Sequence, residues 1–214
     1  MRDSDVRAAV KAHLDTLHGG SDDTRIVEEM GVWSGTVRVD IAVINGEICG
    51  YELKSDSDNL NRLSYQVEMY GKVFDRMTLV VGAKHHKKAL ALIPKWWGYV
   101  VAEMRSSEVT LKSKRQARRN PNPDPFVVAQ LLWKDEAIAI LERHNLAKGW
   151  RRKPAAEISQ RLISVLTFEQ LSVEVRFALK ARERLGQLIP GKFDVSIDAE
   201  TNPACGASRG SWWS

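Results

Sequence analysis

Apolar positions change period several times along this chain, and each change predicts an element. Val6, Val10, Leu14 and Leu17 recur at helical spacing after the possible caps Asp3 and Ser4, and Gly19-Gly20 closes that first helix. From Thr36 to Ile44 the period becomes two, with Val37, Val39, Ile41 and Val43 on one face of a strand and Arg38 and Asp40 on the other. Asn45-Gly46 is a hairpin signal, so Glu47 to Lys54 returns as the antiparallel partner. Asp56, Ser57 and Asp58 are candidate caps for a helix reaching about Phe74. Its apolar face would be Leu60, Leu63, Val67, Tyr70 and Phe74. Met77 to Val81 reads as a buried strand, Lys84 to Leu92 as a helix, and Tyr99 to Met104 as a further strand.

This alternation describes an α/β fold, a mixed four- to five-stranded sheet flanked by helices and followed by a helical extension. The core domain is expected over residues 1–112, and a basic, proline-rich connector over 113–125. There Asn120-Pro-Asn-Pro-Asp-Pro125 cannot be helical. The extension, 126–186, reads as three helices, Val127 to His144, Ala155 to Leu166 and Glu169 to Arg184, the last opened by the capping-box spacing Thr167-Phe-Glu-Gln170. From Gly186 the periodicity fades, and 187–214 is expected to be a poorly ordered tail.

Composition adds a direction. The chain has 214 residues, 43% of them hydrophobic, and a net charge of +5. Five Lys or Arg and no acid occupy Lys112 to Arg119, which makes a polyanionic partner an expectation and a solvated linker the alternative. Two cysteines, Cys49 and Cys205, are too few for a disulfide framework and suit a reducing compartment. No apolar run approaches the roughly 20 residues of a membrane span, and the N-terminus has no signal-like apolar segment. A cytoplasmic protein without a membrane partner is expected.

The segment from Arg38 to Lys54 is where chemistry concentrates. A turn at Asn45-Gly46 that pairs Ile44 near Glu47 sets Asp40 nearly opposite Tyr51 and diagonal to Glu52. Two carboxylates can then share a hard cation, Mg²⁺ or Mn²⁺, which takes oxygen ligands and keeps several waters. Lys54, on the Glu52 face, can orient a metal-bound water or stabilise developing negative charge. The plainer reading is an exposed ion-pair ladder in which each pair contributes about 1 kcal/mol or less.

Asp40, an apolar strand and Glu52-Leu-Lys54 resemble the core motif of the PD-(D/E)XK nuclease superfamily, although Val39 stands where that name has proline. The wider stretch resembles a bacterial and phage family assigned to that superfamily. Arg38-Val-Asp-Ile-Ala, Gly50-Tyr-Glu-Leu-Lys-Ser-Asp56, Leu63, Gln66, Tyr70, Phe74-Asp75 and Pro94-Lys-Trp-Trp-Gly98 carry that likeness. The resemblance implies a restriction-endonuclease-like core, Asp40 and Glu52 as metal ligands, and Lys54 as catalytic lysine. It also suggests Glu29 as a further ligand and Gln66 as a catalytic residue.

Among the remaining candidates, Arg38 and Tyr70 are expected near nucleic acid, with core packing the alternative for Tyr70. Lys114, Arg115, Arg118, Arg119, Arg151 and Arg152 are expected to follow a phosphate backbone. Trp96-Trp97 is expected to close the core. The expected function is a metal-dependent nuclease acting on DNA, as a possible homodimer. The alternative is a non-catalytic nucleic-acid-binding or regulatory protein that uses the basic C-terminal helices.

Overall fold

The computed structural model describes residues 1–33, 35–106 and 108–185. The expected tail over 187–214, with Cys205 and Trp212-Trp213, lies outside them. The fold is α/β: a mixed sheet of six strands in sequential order, flanked by helices. Helix α1 (Asp3–His18) precedes β1 (Arg25–Val32), β2 (Val37–Ile44) and β3 (Ile48–Lys54), an antiparallel meander. Helix α2 (Leu63–Tyr70) crosses to β4 (Arg76–Gly82), and α3 (His86–Leu92) leads to β5 (Gly98–Arg105), so that β3, β4 and β5 run parallel. Strand β6 (Glu108–Arg115) closes the far edge antiparallel to β5.

The expectation of four to five strands is short because the two edge strands carry weak signals. In β1, Glu28 and Glu29 interrupt the apolar pattern, and β6 is Glu-Val-Thr-Leu-Lys-Ser-Lys-Arg, half of whose side chains are charged. Charged edges of this kind discourage pairing with another chain. Strand β6 also takes up the start of the expected connector. The rest of that segment is fastened to the core: the Asn120 side chain donates to the carbonyls of Gly71 and Phe74, and its amide donates to the Asp75 carbonyl.

Helix α2 is much shorter than the apolar spacing suggested. The Asp58 carboxylate takes the amide and hydroxyl of Ser55, and Asp56 takes the Lys84 amide, so both acids stabilise turns and cap no helix. The helix expected over 127–144 is two, α4 (Pro125–Ala129), capped by Asp124, and α5 (Lys134–Arg143). Helices α6 (Ala155–Val165) and α7 (Phe168–Leu185) follow.

The two sheet faces are covered unequally. Val39, Ala42, Ile44, Leu79, Val81 and Val101 point to one large apolar cluster, shared with α2 and with Val128, Ile140, Leu162 and Val175 of the C-terminal helices. Trp97 lies fully buried in it, stacked on Tyr70 at 6.4 Å, so the tryptophan pair does help to close the core. Ile41, Val43, Tyr51, Leu53, Val80 and Val100 face the other way, against Val6, Val10 and Leu14 of α1. Among the described residues no helix is long and apolar enough to cross a membrane.

Candidate functional site

The hairpin between β2 and β3 turns through Asn45, Gly46 and Glu47, with Ile44 opposite Ile48. This is one residue longer than a two-residue Asn-Gly turn. The Asn45 side chain takes the Glu47 amide at 3.1 Å and holds the longer loop. The correction matters at the site. The β2–β3 ladder ends with Ile41 against Tyr51, and Asp40 and Glu52 stand just beyond that last pair. Ile41 takes the place opposite Tyr51 that was expected for Asp40.

The alternation also changes phase here. Val37 and Val39 belong to the large cluster and Ile41 to the small one, although all three were expected on one face. The same shift occurs in β1 between Ile26, packed on the small cluster, and Met30, buried in the large one. At that point Glu29 adopts φ 52°, a left-handed conformation uncommon for a residue with a side chain. Glu29 falls level with Asp40 in the β1–β2 register, so both strands swivel at one level of the sheet. Asp40 is thereby turned out of the ladder, and its Oδ2 accepts the Leu53 amide at 2.7 Å.

Into this opening α1 inserts Arg7. One guanidinium nitrogen lies 2.9 Å from Asp40 Oδ1 and 3.0 Å from Glu29 Oε1, while the other donates to the Asp40 carbonyl at 3.2 Å. Asp3 accepts from Arg7 Nε, and Lys11, one helical turn on, pairs with Glu28. Burial works against the Arg7 charge, but Asp40 and Asp3 outweigh it and hold its pKa above the ordinary value. For Asp40, burial raises the pKa, opposed by the Leu53 amide, Arg7 and Lys54. The signal that reveals Arg7 in sequence is the pair Arg7 and Lys11, four apart on a helix beside the apolar stripe, matching Glu28 and Glu29.

Glu52 lies deeper, 1% exposed. Its Oε1 accepts from Lys54 Nζ and from Gln66 Nε2, each at 2.5 Å. Among the described residues, its Oε2 is buried with no hydrogen-bond partner, as is Gln66 Oε1. Burial pushes the Glu52 carboxyl up to about 7 against the pull of Lys54, and the nearby negative charge of Asp40 adds to the rise. Tyr70 is fully buried and its hydroxyl donates to the Arg38 carbonyl at 2.5 Å. Burial first, and then the Glu52 charge, raise its pKa.

The structure therefore brings Asp40, Glu52, Lys54 and Gln66 together, with Glu29 attached through Arg7. It places Tyr70 inside the core, while Arg38 is exposed. Arg115 is spent on structure, donating to the carbonyls of Trp97 at 2.7 Å and Pro94 at 3.1 Å. Lys114, Arg118, Arg119, Arg151 and Arg152 are exposed. Among the described residues, no group of three or more His, Cys, Asp or Glu is arranged to hold a metal ion.

The family described as "Bacteriophage P4 protein cII" matches residues 1–188. Protein cII of Enterobacteria phage P4 is 27% identical over 146 residues, which cover 68% of this chain and 55% of that protein. The chain thus spans about half the length of this relative. A solved structure, that of Pyrococcus furiosus SfsA in complex with Ca²⁺, aligns with a TM-score of 0.30 and 17% identity over 52% of this chain and 64% of that one. The family match overturns the assignment to the PD-(D/E)XK superfamily and, with it, the expected nuclease and hydrolase activity. The interior gives a physical reason why the motif misled: Arg7 and the Leu53 amide occupy both Asp40 oxygens, and Lys54 is bonded to Glu52.

Proposed function

The chain belongs to the bacteriophage P4 protein cII family, and on that premise we propose that it is a non-catalytic regulatory protein that binds nucleic acid, with DNA the favoured polymer. One observation carries this reading. Each basic stretch contains cations that the fold has already paired, Lys112 with Glu103 and Arg151 with Glu142, beside exposed cations with no ion pair among the described residues, Lys114, Arg118, Lys148 and Arg152. Unneutralised surface cations release counterions from a phosphate backbone and so favour binding. Anisotropy of labelled duplex DNA, single-stranded DNA and RNA tests it. Binding at about 50 mM salt that weakens steeply by about 200 mM is expected, with duplex DNA preferred and every polymer recovered intact. Absence of binding at the lower salt overturns the reading.

A second proposal concerns Mg²⁺ or Mn²⁺ as a bound ion without hydrolysis. The donor chemistry fits a hard cation, since Glu52 Oε2 and Gln66 Oε1 are buried oxygens without hydrogen-bond partners among the described residues. Asp40 would join them only after Arg7 moves away. In this reading Glu52, Gln66 and Asp40 hold the ion, while Lys54 limits the charge the centre accepts. A thermal shift in the presence of Mg²⁺, abolished by Glu52→Gln, is the expected result; no shift at millimolar ion refutes it.

A further inference from the structure

The loop between α5 and α6 forms an open surface concavity of about 440 Å³ lined by Ala147, Lys148, Gly149, Arg151 and Arg152. From Asn145 to Ala156 the chain contains four Lys or Arg and no acid. The fold holds this loop firmly. Leu146 and Ala147 pack on the large core cluster, and the Leu146 amide donates to the Leu141 carbonyl at 2.7 Å. Two successive turns, Trp150 to Ala147 and Lys153 to Trp150, close at 3.0 Å each. Trp150 rests against the same core, and the Arg161 guanidinium lies 5.5 Å from its ring centre.

Its cations divide into two sets. Arg151 is ion-paired with Glu142, and Lys153 with Glu157, so these two brace the loop against the ends of α5 and α6. Lys148 and Arg152 are exposed, line the concavity, and make no ion pair among the described residues. Between them Gly149 adopts φ +84°, and a Cβ built there would meet nothing within 4 Å, so the backbone is bare toward open space. Two uncompensated cations around a concavity with a bare backbone segment match a phosphodiester in charge and approach.

We infer that the α5–α6 loop is a phosphate-binding site in which Lys148 and Arg152 grip a backbone phosphate of the bound nucleic acid, with Gly149 giving the polymer close access. This rests on the nucleic-acid-binding reading above and adds a location to it. The two cations fix the position of the backbone and carry no base sequence information.

The test compares the full chain with Lys148→Ala/Arg152→Ala, with the charge-keeping Lys148→Arg/Arg152→Lys, and with Lys87→Ala/Lys88→Ala, exposed cations outside the basic stretches, as a surface control. Affinity for labelled duplex DNA is measured across a salt series, with inorganic phosphate and ATP as competitors. The alanine pair is expected to lose about tenfold or more in affinity and to lower the salt slope by about two, with an unchanged melting temperature. The charge-keeping pair should bind close to wild type. Wild-type binding that the alanine pair leaves intact in affinity and slope overturns the site while the functional reading stands. Failure of the wild type to bind any polymer overturns that reading. Capture of phosphate or ATP at this loop without oligonucleotide binding overturns the backbone assignment.

Discussion

Arg7 and Asp40, 33 residues apart in sequence, are joined twice: the guanidinium donates to the carboxylate at 2.9 Å and to the same residue's carbonyl at 3.2 Å. Because the guanidinium also reaches Glu29, one side chain from α1 neutralises acids on both strands that swivel at this level. A motif that resembles a cation site in sequence is thus supplied with a cation from within the chain.

Removing that cation should be costly. Arg7→Ala leaves Asp40 and Glu29 without their counter-charge and is expected to reduce stability by about 2 kcal/mol, read from urea denaturation. Arg7→Lys should recover less than half, since an ammonium cannot make the two-nitrogen fork. An unchanged midpoint for Arg7→Ala would show that the contact contributes nothing.

Glu52 predicts a pH dependence with a definite sign. Its carboxyl is raised from an ordinary 4.5 to about 7 in the folded protein, so the folded state binds this proton more tightly than the unfolded state. The stability tied to that proton is fully present below about pH 4.5 and is lost as pH rises through 7. Glu52→Gln mimics the protonated form. Measured in EDTA, its stability relative to wild type should improve by about 3 kcal/mol between pH 5 and pH 8; parallel pH profiles would contradict this.

Ion binding can be separated from ion displacement. With Mg²⁺ at a hundred times its dissociation constant, binding adds about 2.7 kcal/mol. Arg7→Ala, which frees Asp40, should gain more from Mg²⁺ than wild type does. Equal responses would mean that Arg7 and the ion do not compete.

Asn120→Ala tests the anchoring of the segment after β6. The Asn120 amide group holds two carbonyls across the chain at 2.7 and 2.9 Å, those of Gly71 and Phe74. Leaving them unsatisfied should cost about 2 kcal/mol. A loss below about 0.5 kcal/mol, the level of an ordinary surface substitution, would refute the anchor.

Strands and helices with one clean apolar period were legible in the sequence. Strands β2 to β5 and helices α1, α6 and α7 follow directly from where Val, Ile and Leu recur. Legibility failed where polar residues do structural work. Asp56 and Asp58 look like caps but close turns, and Asn45 lengthens the hairpin, shifting the register by one. Asp40, Glu52, Lys54 and Gln66 lie in one neighbourhood, because alternate strand positions and a following helix converge there. The nuclease chemistry expected of them is overturned by the family match, and Arg7, which completes the arrangement, escaped the sequence reading because it lies on a helix whose charged face resembles any solvated one. A three-residue pattern specifies proximity; partners from distant elements decide the chemistry.

The unequal cover of the two sheet faces has a consequence for assembly. Among the described residues, α1 is the helix that roofs the smaller face, through Val6, Val10 and Leu14. Burying those side chains contributes about 6 kcal/mol at roughly 2 kcal/mol each, whereas a helix of 16 residues is marginal when isolated in water. Folding of that helix and docking are therefore one event, and Arg7 arrives with it. A chain cut at Gly19-Gly20 becomes a two-part protein whose halves should recombine through this face, and the added peptide would bring back the helix, the roof and the internal cation together.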